Sequence, residues 1–509
     1  MNFNRRSFLK GIAGLSAAAA AGCRTSRYGF HCARQIKPGQ KLNIAAIGSW
    51  GKGFSDWVPM LKRGENIVAL CDVDDAVFDK IAAKLKETDL GGVSFDLSKV
   101  KIYKDYRKLL DDADKLGIDA VTVSTPDHMH AAQAIRAMKQ GIHCYVQKPL
   151  VRTLWEADYF GKVARATGVV TQMGNQGSSG SGHRRNVELL QQGIIGDVTE
   201  VHVWTNRPIW PQGLAAKKST EGAADPIPAG LDWDLWVGTA KMRNFKGAID
   251  PANAAEYNAT RGKRGVYHHF TWRGFYDFGT GAFGDMACHT MNLPFRGLEL
   301  GKAIKAECIQ SEEFNDVAYP TKSTVVVTYA ARTSRVRPGV KLPEVKLYWY
   351  DGNQQPSAEL MPQVVAALGS VPKTGCLIVG SKGIICSTND YGQEAFIAFK
   401  DEQRIKSTFK HDACKAIAEY LPRRPEPGTE GQYPEFLDAI KGVSPVFADT
   451  HSRAFSDVEH SVPMLEGMLV GCVAQRVPGV LRWDSDNQIF DNAAANEFIR
   501  PHIRAGFEF

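Results

Sequence analysis

Three glycines crowd one short turn, Gly48, Gly51 and Gly53, and an aspartate, Asp72, stands 24 residues beyond the first of them. Glycines at that density let a chain turn tightly and bring its backbone up to a pyrophosphate. A carboxylate at that remove bonds the hydroxyls of an adenosine ribose and repels a 2′-phosphate, which favours NAD over NADP. The spacing departs from G-x-G-x-x-G, because Trp50 stands where the second glycine is expected. Either Gly51 takes over the close approach or the loop follows another course. Further on, Asp285 and His289 lie four residues apart. On a helix that spacing sets both on one face, within reach of one substrate. An imidazole with an ordinary pKa near 6.5 suits a general base or acid. His128 with His130, and His268 with His269, lack third and fourth ligands at helpful spacing, so no metal is expected. The ten cysteines include no C-x-x-C pair and read mostly as small buried hydrophobes.

These groups need elements to hold them. Residues 42–48 are an apolar run ending in glycine, as in a buried parallel strand. A helix over 56–63, a strand over 66–70 and a helix over 103–112 follow. The pattern continues with strands over 120–124, 143–146 and 169–173 and helices over 131–140 and 155–167. This alternation predicts a doubly wound parallel sheet, whose ligands bind beyond the carboxyl ends of the strands. Thr125-Pro126-Asp127-His128-Met129-His130 and Gln147-Lys148-Pro149 fall at such ends. Later, residues 324–330 and 345–350 alternate as strands joined by a basic loop. Residues 376–379 and 383–386 form a hairpin, and 434–441 and 464–475 read as helices. Residues 205–265, rich in Gly, Pro and Ala, read as an insertion or long loops near the site.

The strings at 125–130 and 147–149, with Gly281-Ala282-Phe283-Gly284-Asp285-Met286-Ala287-Cys288-His289 and Leu231-Asp232-Trp233-Asp234-Leu235-Trp236-Val237-Gly238, resemble the glucose–fructose oxidoreductase/inositol dehydrogenase/MocA family. The chain resembles that family's exported, twin-arginine branch. The resemblance implies an α/β fold: an N-terminal Rossmann domain over 41–175, then over 176–509 a substrate-binding α/β domain with a large, mostly antiparallel sheet and C-terminal helices. It implies hydride transfer between tightly bound NAD and a hydroxyl-bearing carbon of a sugar, glycoside or polyol, with Lys148 matching the catalytic lysine. Asp285 and His289 match the D-x-x-x-H motif: His289 as base or acid, Asp285 bonding substrate. Thr125, Pro126, His130 and Lys148 join the glycines and Asp72 around the cofactor. Gln147 replaces a frequent glutamate, which removes a charge beside Lys148. Asn292 replaces an aspartate and could still bond a sugar. Among Tyr267, Phe270, Trp272, Phe275, Tyr276 and Phe278, at least half are expected in the core. Trp272 and Arg273 are candidates for stacking on and bonding the sugar. Related proteins cleave glycosidic bonds by transient oxidation of the ring, a redox-neutral alternative. A non-catalytic nucleotide- or sugar-binding lipoprotein is a third reading, against which Lys148, Asp285 and His289 argue. A homo-oligomer formed through the C-terminal sheet is a further expectation.

The N-terminus carries an address. Arg5-Arg6-Ser7-Phe8-Leu9-Lys10 before a soft apolar run resembles a twin-arginine export signal. Ala21-Gly22-Cys23 resembles a lipoprotein cleavage box, with Ala20 where a larger aliphatic residue is usual, so Cys23 is a candidate for lipidation and membrane anchoring. Residues 24–40 would be a basic tether, and the mature protein periplasmic. Residues 1–41 hold eight of the 62 basic residues and no acid, which leaves 54 against 55 acidic residues in the body. A nucleic-acid footprint is therefore not supported. Replacing Arg5-Arg6 by Lys-Lys should leave the protein in the cytoplasm, because the paired guanidinium groups are what the export receptor reads. Fractionation that finds normal export of this variant would reject the assignment.

Overall fold

The computed structural model describes residues 29–247, 265–447 and 449–509. Arg5, Arg6 and Cys23 lie outside them.

Six parallel strands form the first sheet: β1 (Asn43–Ile47), β2 (Asn66–Cys71), β3 (Lys101–Tyr103), β4 (Ala120–Val123), β5 (His143–Val146) and β6 (Thr171–Met173). Their order is β3-β2-β1-β4-β5-β6, the doubly wound arrangement. Strand period explains why β1 is apolar from Ile44 to Ile47. Ile44 and Ala46 face a core with Trp57, Leu70 and Ile81, while Ala45 and Ile47 face another with Val121, Met129 and Ile135. Both faces are covered, so neither can be polar. Helix α1 (Lys52–Lys62) follows the glycine turn, α2 (Asp127–Lys139) follows β4, and α3 (Leu154–Thr167) follows β5. A capping box of Thr153 and Glu156 opens α3, and Gly168 at φ +71° closes it.

The second sheet has ten strands. In chain order they are β7 (Val198–Trp204), β8 (Ala303–Glu312), β9 (Lys322–Tyr329), a separate small ribbon of β10 (Arg332–Thr333) and β11 (Lys341–Leu342), then β12 (Val345–Tyr350), β13 (Gly375–Gly380), β14 (Gly383–Ser387), β15 (Ala395–Phe399), β16 (Lys406–Ser407), β17 (Leu481–Asp484) and β18 (Ile489–Phe490). The order is β16-β15-β14-β13-β7-β12-β9-β8-β17-β18, antiparallel except where β12 runs parallel to β7. Helices α4 (Gly281–Thr290), α5 (Asn292–Gly297) and α7 (Val458–Ala474) cover one face, and α6 (Gln432–Ile440) precedes α7.

Five sequence expectations change. The helix read from 56 begins at Lys52, directly after Gly51. The helix read over 103–112 is a strand through Tyr103 followed by a helix at Tyr106–Asp111, because Asp105 caps the Arg107 amide at 2.9 Å and starts the helix there. The helix read from 131 begins at Asp127, directly after Pro126. The expected tether is docked over its described part: the His31, Ala33 and Arg34 amides donate to the carbonyls of Lys139, Thr167 and Gly141 at 2.8–2.9 Å. Finally, α6 lies on the parallel sheet. Tyr433, Phe436 and Leu437 share a core with Ile44, Trp57 and Tyr145, so the late chain completes the first domain.

Gly53 is where the glycine turn and α1 meet. A Cβ there would stand 1.7 Å from the Gly48 carbonyl oxygen, a backbone atom fixed by β1. Gly53→Ala should destabilise the protein by about 3 kcal/mol, the upper range for overpacking. Thermal denaturation with an unchanged midpoint would show that the turn is looser than this.

Candidate active site

The carboxyl ends of β1, β2, β4 and β5 open into a cleft of about 750 Å³, roofed by residues from the second half of the chain. This volume lies in the range of small-molecule sites. Gly48 and Gly51 line one end, with φ of +77° and +61°. A Cβ on Gly48 would meet the Ser124 carbonyl at 2.7 Å, whereas Gly51 has open space on that side. Gly51 is thus free for the close approach, and Gly53 serves helix packing outside the cleft. Helix α1 has no side-chain cap and no acidic residue in its first turn, and Lys52 stands at its start. An uncapped helix N-terminus with a lysine beside it fits a pyrophosphate. Asp72 lines the same end, accepting the Ser49 amide at 3.0 Å. Burial pushes its carboxyl up to about 6 against the amides that bond it, so it is ionised at neutral pH. These residues fit the ADP half of NAD.

Lys148 follows β5, and its ammonium donates to Asp285 Oδ1 at 2.8 Å and to the Asp285 carbonyl at 3.1 Å. Asp285 is 7% exposed. Burial alone would raise its carboxyl, but Lys148 and Arg273 override it and hold it well below the usual carboxylate range. Arg273 reaches Asp285 through Nε at 3.2 Å, its guanidinium packed over Phe270 and Trp272. His289, four residues along α4, has Nδ1 3.3 Å from Asn175 Oδ1. Burial first, then Lys148, brings its pKa down to about 3, so the ring is neutral. With the Asn175 amide oriented as it is, Nδ1 carries the proton and Nε2 is left as an acceptor.

Lys148, Asp285, His289, Trp272 and Arg273 line the cleft together with Gly48, Gly51, Asp72, Thr125 and Pro126. Three candidates do not: Gly53, whose role is the helix packing described above, His130 and Asn292. His130 sits behind the wall with its ring nitrogens 2.8 Å from the carbonyls of Pro149 and Thr125, tying together the two turns that carry Lys148 and Thr125. Asn292 is fully engaged inside the protein. It donates to Ser178 and to His183 Nε2 at 2.9 and 3.2 Å and accepts from His460 Nε2 at 2.8 Å. The structure does not bring it to the cleft, because α4 ends at Thr290. Asn292 opens α5, so the helical face of His289 does not continue to it. Of the aromatic stretch, Phe270 and Trp272 face the cleft, while Tyr267, Phe275 and Phe278 form a core with Trp233. Tyr276 packs on Tyr319.

Sequence reasoning passed over Trp210, Arg207, Gln176 and Tyr391, which also line the cleft. Tyr391, from the turn after β14, sets its ring edge-on to His289 at 5.2 Å and accepts the Gln176 amide at 2.8 Å. Only the positions of these loops reveal them. Asp127 lines the cleft as well, and its place after Thr125-Pro126 was a readable signal.

Gln147 explains itself through Asp56, which is 0% exposed on α1. Asp56 accepts the Ser124 hydroxyl at 2.7 Å, the Gln147 amide at 2.9 and 3.1 Å and the Tyr433 hydroxyl at 3.0 Å, and pairs with Lys52 at 2.8 Å. The amide faces Asp56, which needs donors rather than a second carboxylate.

Residues 42–175 match the family model for Gfo/Idh/MocA, described as an oxidoreductase family with an NAD-binding Rossmann fold. A "Glycosyl hydrolase family 109 protein 2" of Akkermansia muciniphila is 27% identical over 163 residues, 31% of this chain and 32% of its own. A family 109 protein of Shewanella pealeana is 29% identical over 215 residues, 39% of this chain and 45% of its own. The matches thus span less than half of these curated relatives. Among solved structures, an inositol dehydrogenase homologue from Azotobacter vinelandii, complexed with NADH and myo-inositol, aligns over 87% of this chain and 98% of its own. Its TM-score is 0.53 at 16% identity. The WlbA dehydrogenase from Chromobacterium violaceum, with NADH and UDP-GlcNAcA, aligns over 89% and 98%, with a TM-score of 0.55 at 14% identity. These two likenesses establish the two-domain α/β fold.

Gln147→Glu would oppose two buried carboxylates. The variant should lose about 3 kcal/mol of stability, the scale of an uncompensated buried charge. The folded state would raise the pKa of the pair, so the loss is full above neutral pH and shrinks toward pH 5. Urea denaturation at pH 8 and pH 5 measures it. A variant as stable as the parent at pH 8 would contradict the contact.

Proposed function

We propose, from a chain whose residues 42–175 belong to the Gfo/Idh/MocA family of NAD-binding oxidoreductases, that the protein oxidises a hydroxyl-bearing carbon of a sugar, glycoside or polyol. The observation that carries this is the joining of Lys148, Asp285 and His289 on one wall of the cleft whose far end is the Gly48–Asp72 loop. Bound NAD supplies the hydride acceptor. Gly48, Gly51 and the start of α1 would hold its pyrophosphate, and Asp72 its ribose.

An ammonium has three N–H donors, and two of those on Lys148 go to Asp285. The third is available to the substrate oxygen, where it steadies negative charge as the hydroxyl proton leaves. Asp285, kept ionised, fixes the direction of that ammonium. His289 presents a neutral Nε2 to receive the proton. Arg273, Trp272, Trp210 and Tyr391 offer the donors and flat faces that sugars use.

A second reading is redox-neutral cleavage of a glycoside, in which a ring carbon is oxidised, the neighbouring glycosidic bond breaks by elimination, water adds and the carbon is reduced again. The names of the family 109 relatives favour it. Export by the twin-arginine route and a lipid on Cys23 belong to this proposal too. A periplasmic enzyme has no free nicotinamide pool, so its NAD would be loaded before export and retained.

Protein purified without added nucleotide should therefore release close to one NAD per chain on denaturation. Incubation with aryl glycosides separates the readings: absorbance at 340 nm marks net oxidation, and released phenol without it marks cleavage. Lys148→Ala and His289→Ala should each lower turnover by about 10² or more, with NAD still bound in the His289 variant. Near-normal turnover in both would remove them from the chemistry.

A further inference from the structure

Asp127 has no task in the chemistry above, yet it lines the cleft at the carboxyl end of β4 and is only 2% exposed. Its Oδ2 accepts the Thr280 hydroxyl at 2.9 Å. The charged groups that act on it are Asp285, Arg273 and Lys148. Both cations are bonded to Asp285. Asp127 itself has no ion-pair partner within 4 Å among the described residues. On its other sides, His128 is tied to the Trp236 carbonyl, and burial brings that ring down to about 3. His130 is brought to about 4 and His289 to about 3 by the same cause, so no third cation comes from these rings. An unpaired buried carboxyl beside a committed carboxylate holds its proton near neutral pH. Burial first, then Asp285, pushes Asp127 up to about 7.

Topology fixes what it faces. The glycine turn and Asp72 take the ADP half over β1 and β2, so the nicotinamide half extends over β4 and β5, where Asp127 and Lys148 stand. The oxidised ring is a cation and the reduced ring is neutral.

Resting on the function proposed above, we propose that Asp127 is a redox-linked proton site, ionised opposite oxidised nicotinamide and protonated opposite the reduced form. In balance, a secondary alcohol, NAD+ and the Asp127 carboxylate become a ketone, NADH and the Asp127 carboxylic acid. The hydrogen on the alcohol carbon leaves as hydride with the electron pair of its bond, and the hydroxyl proton ends on the carboxylate. His289 receives that proton but cannot keep it at neutral pH, whereas Asp127 can. In a redox-neutral cycle hydride and proton are both stored in the cleft and both returned.

Binding tests this without turnover. Purified protein is equilibrated with NAD+/NADH mixtures at pH 6, 7 and 8, and the bound nucleotides are separated and quantified. Asp72 faces the half that both nucleotides share, so its titration cancels in the bound NADH:NAD+ ratio. That ratio should fall about tenfold from pH 6 to pH 8, within the linkage limit of tenfold per pH unit for one proton. In Asp127→Asn, which keeps an oxygen for Thr280, it should be flat within twofold. In Thr280→Val, which removes the hydroxyl bonded to the carboxylate, the midpoint should move to higher pH. Exchanging bound NAD+ for NADH at pH 7 in unbuffered solution should also take up protons from an indicator dye. A flat ratio in the parent protein, or an equal slope in Asp127→Asn, overturns this proposal and leaves the oxidoreductase reading standing. Failure to bind either nucleotide overturns both.

Discussion

A lysine and an aspartate, both largely withdrawn from water, meet at 2.8 Å where the two halves of the chain face one another. Neither charge is stable there alone, since removing one partner of a buried pair costs several kcal/mol. The parallel sheet delivers Lys148 at the end of β5, and α4 delivers Asp285. The contact therefore adds a charged tie to the apolar core that the two halves share. Arg273 adds a second cation to the same carboxylate and is itself held between two aromatic rings. Both of the cleft's nearest cations are thereby bonded to one acid, which leaves Asp127 without an ion-pair partner, its carboxyl pushed up to about 7 by burial and by Asp285, while burial keeps His289 neutral. The protonation states of the wall follow from this allocation and from burial.

Behind the cleft wall a second carboxylate is held in the same way. Asp56 is buried without exposure, and four groups from four segments converge on it: Lys52, Ser124, Gln147 and Tyr433. A carboxylate so supplied anchors the start of α1, the end of β4 and the residue before Lys148 to one point. Gln147 is part of this anchor, which is why its amide turns away from the reacting side.

What could be read in the sequence was whatever local periodicity or local chemistry controls. The run through β1, the glycine turn, the hairpin of β13 and β14, and the i,i+4 pair on α4 are all settled within a few residues, and all are present. Lys148 and Asp285 are 137 residues apart, and motif resemblance alone brought them together beforehand. Asn292 was named from motif resemblance alone; the structure sets it behind the wall, at the start of a new helix after Thr290, bonded to Ser178, His183 and His460. Trp210 and Tyr391 were invisible for a different reason: their loops carry no pattern, and the ten-stranded sheet decides where they end. The docking of residues 31–34 was likewise missed, since it consists of main-chain hydrogen bonds that no side chain announces.

Asp56 and Tyr433 are 377 residues apart, and the helix that brings the tyrosine also covers a face of the parallel sheet. During synthesis the six parallel strands leave the ribosome long before that cover exists. Until α6 arrives, the apolar side of α1 and a buried carboxylate are exposed on a nascent domain. The support beneath α1 is therefore among the last parts of the first domain to be made. A truncated product would carry every glycine of the turn and still lack the tyrosine that bonds Asp56.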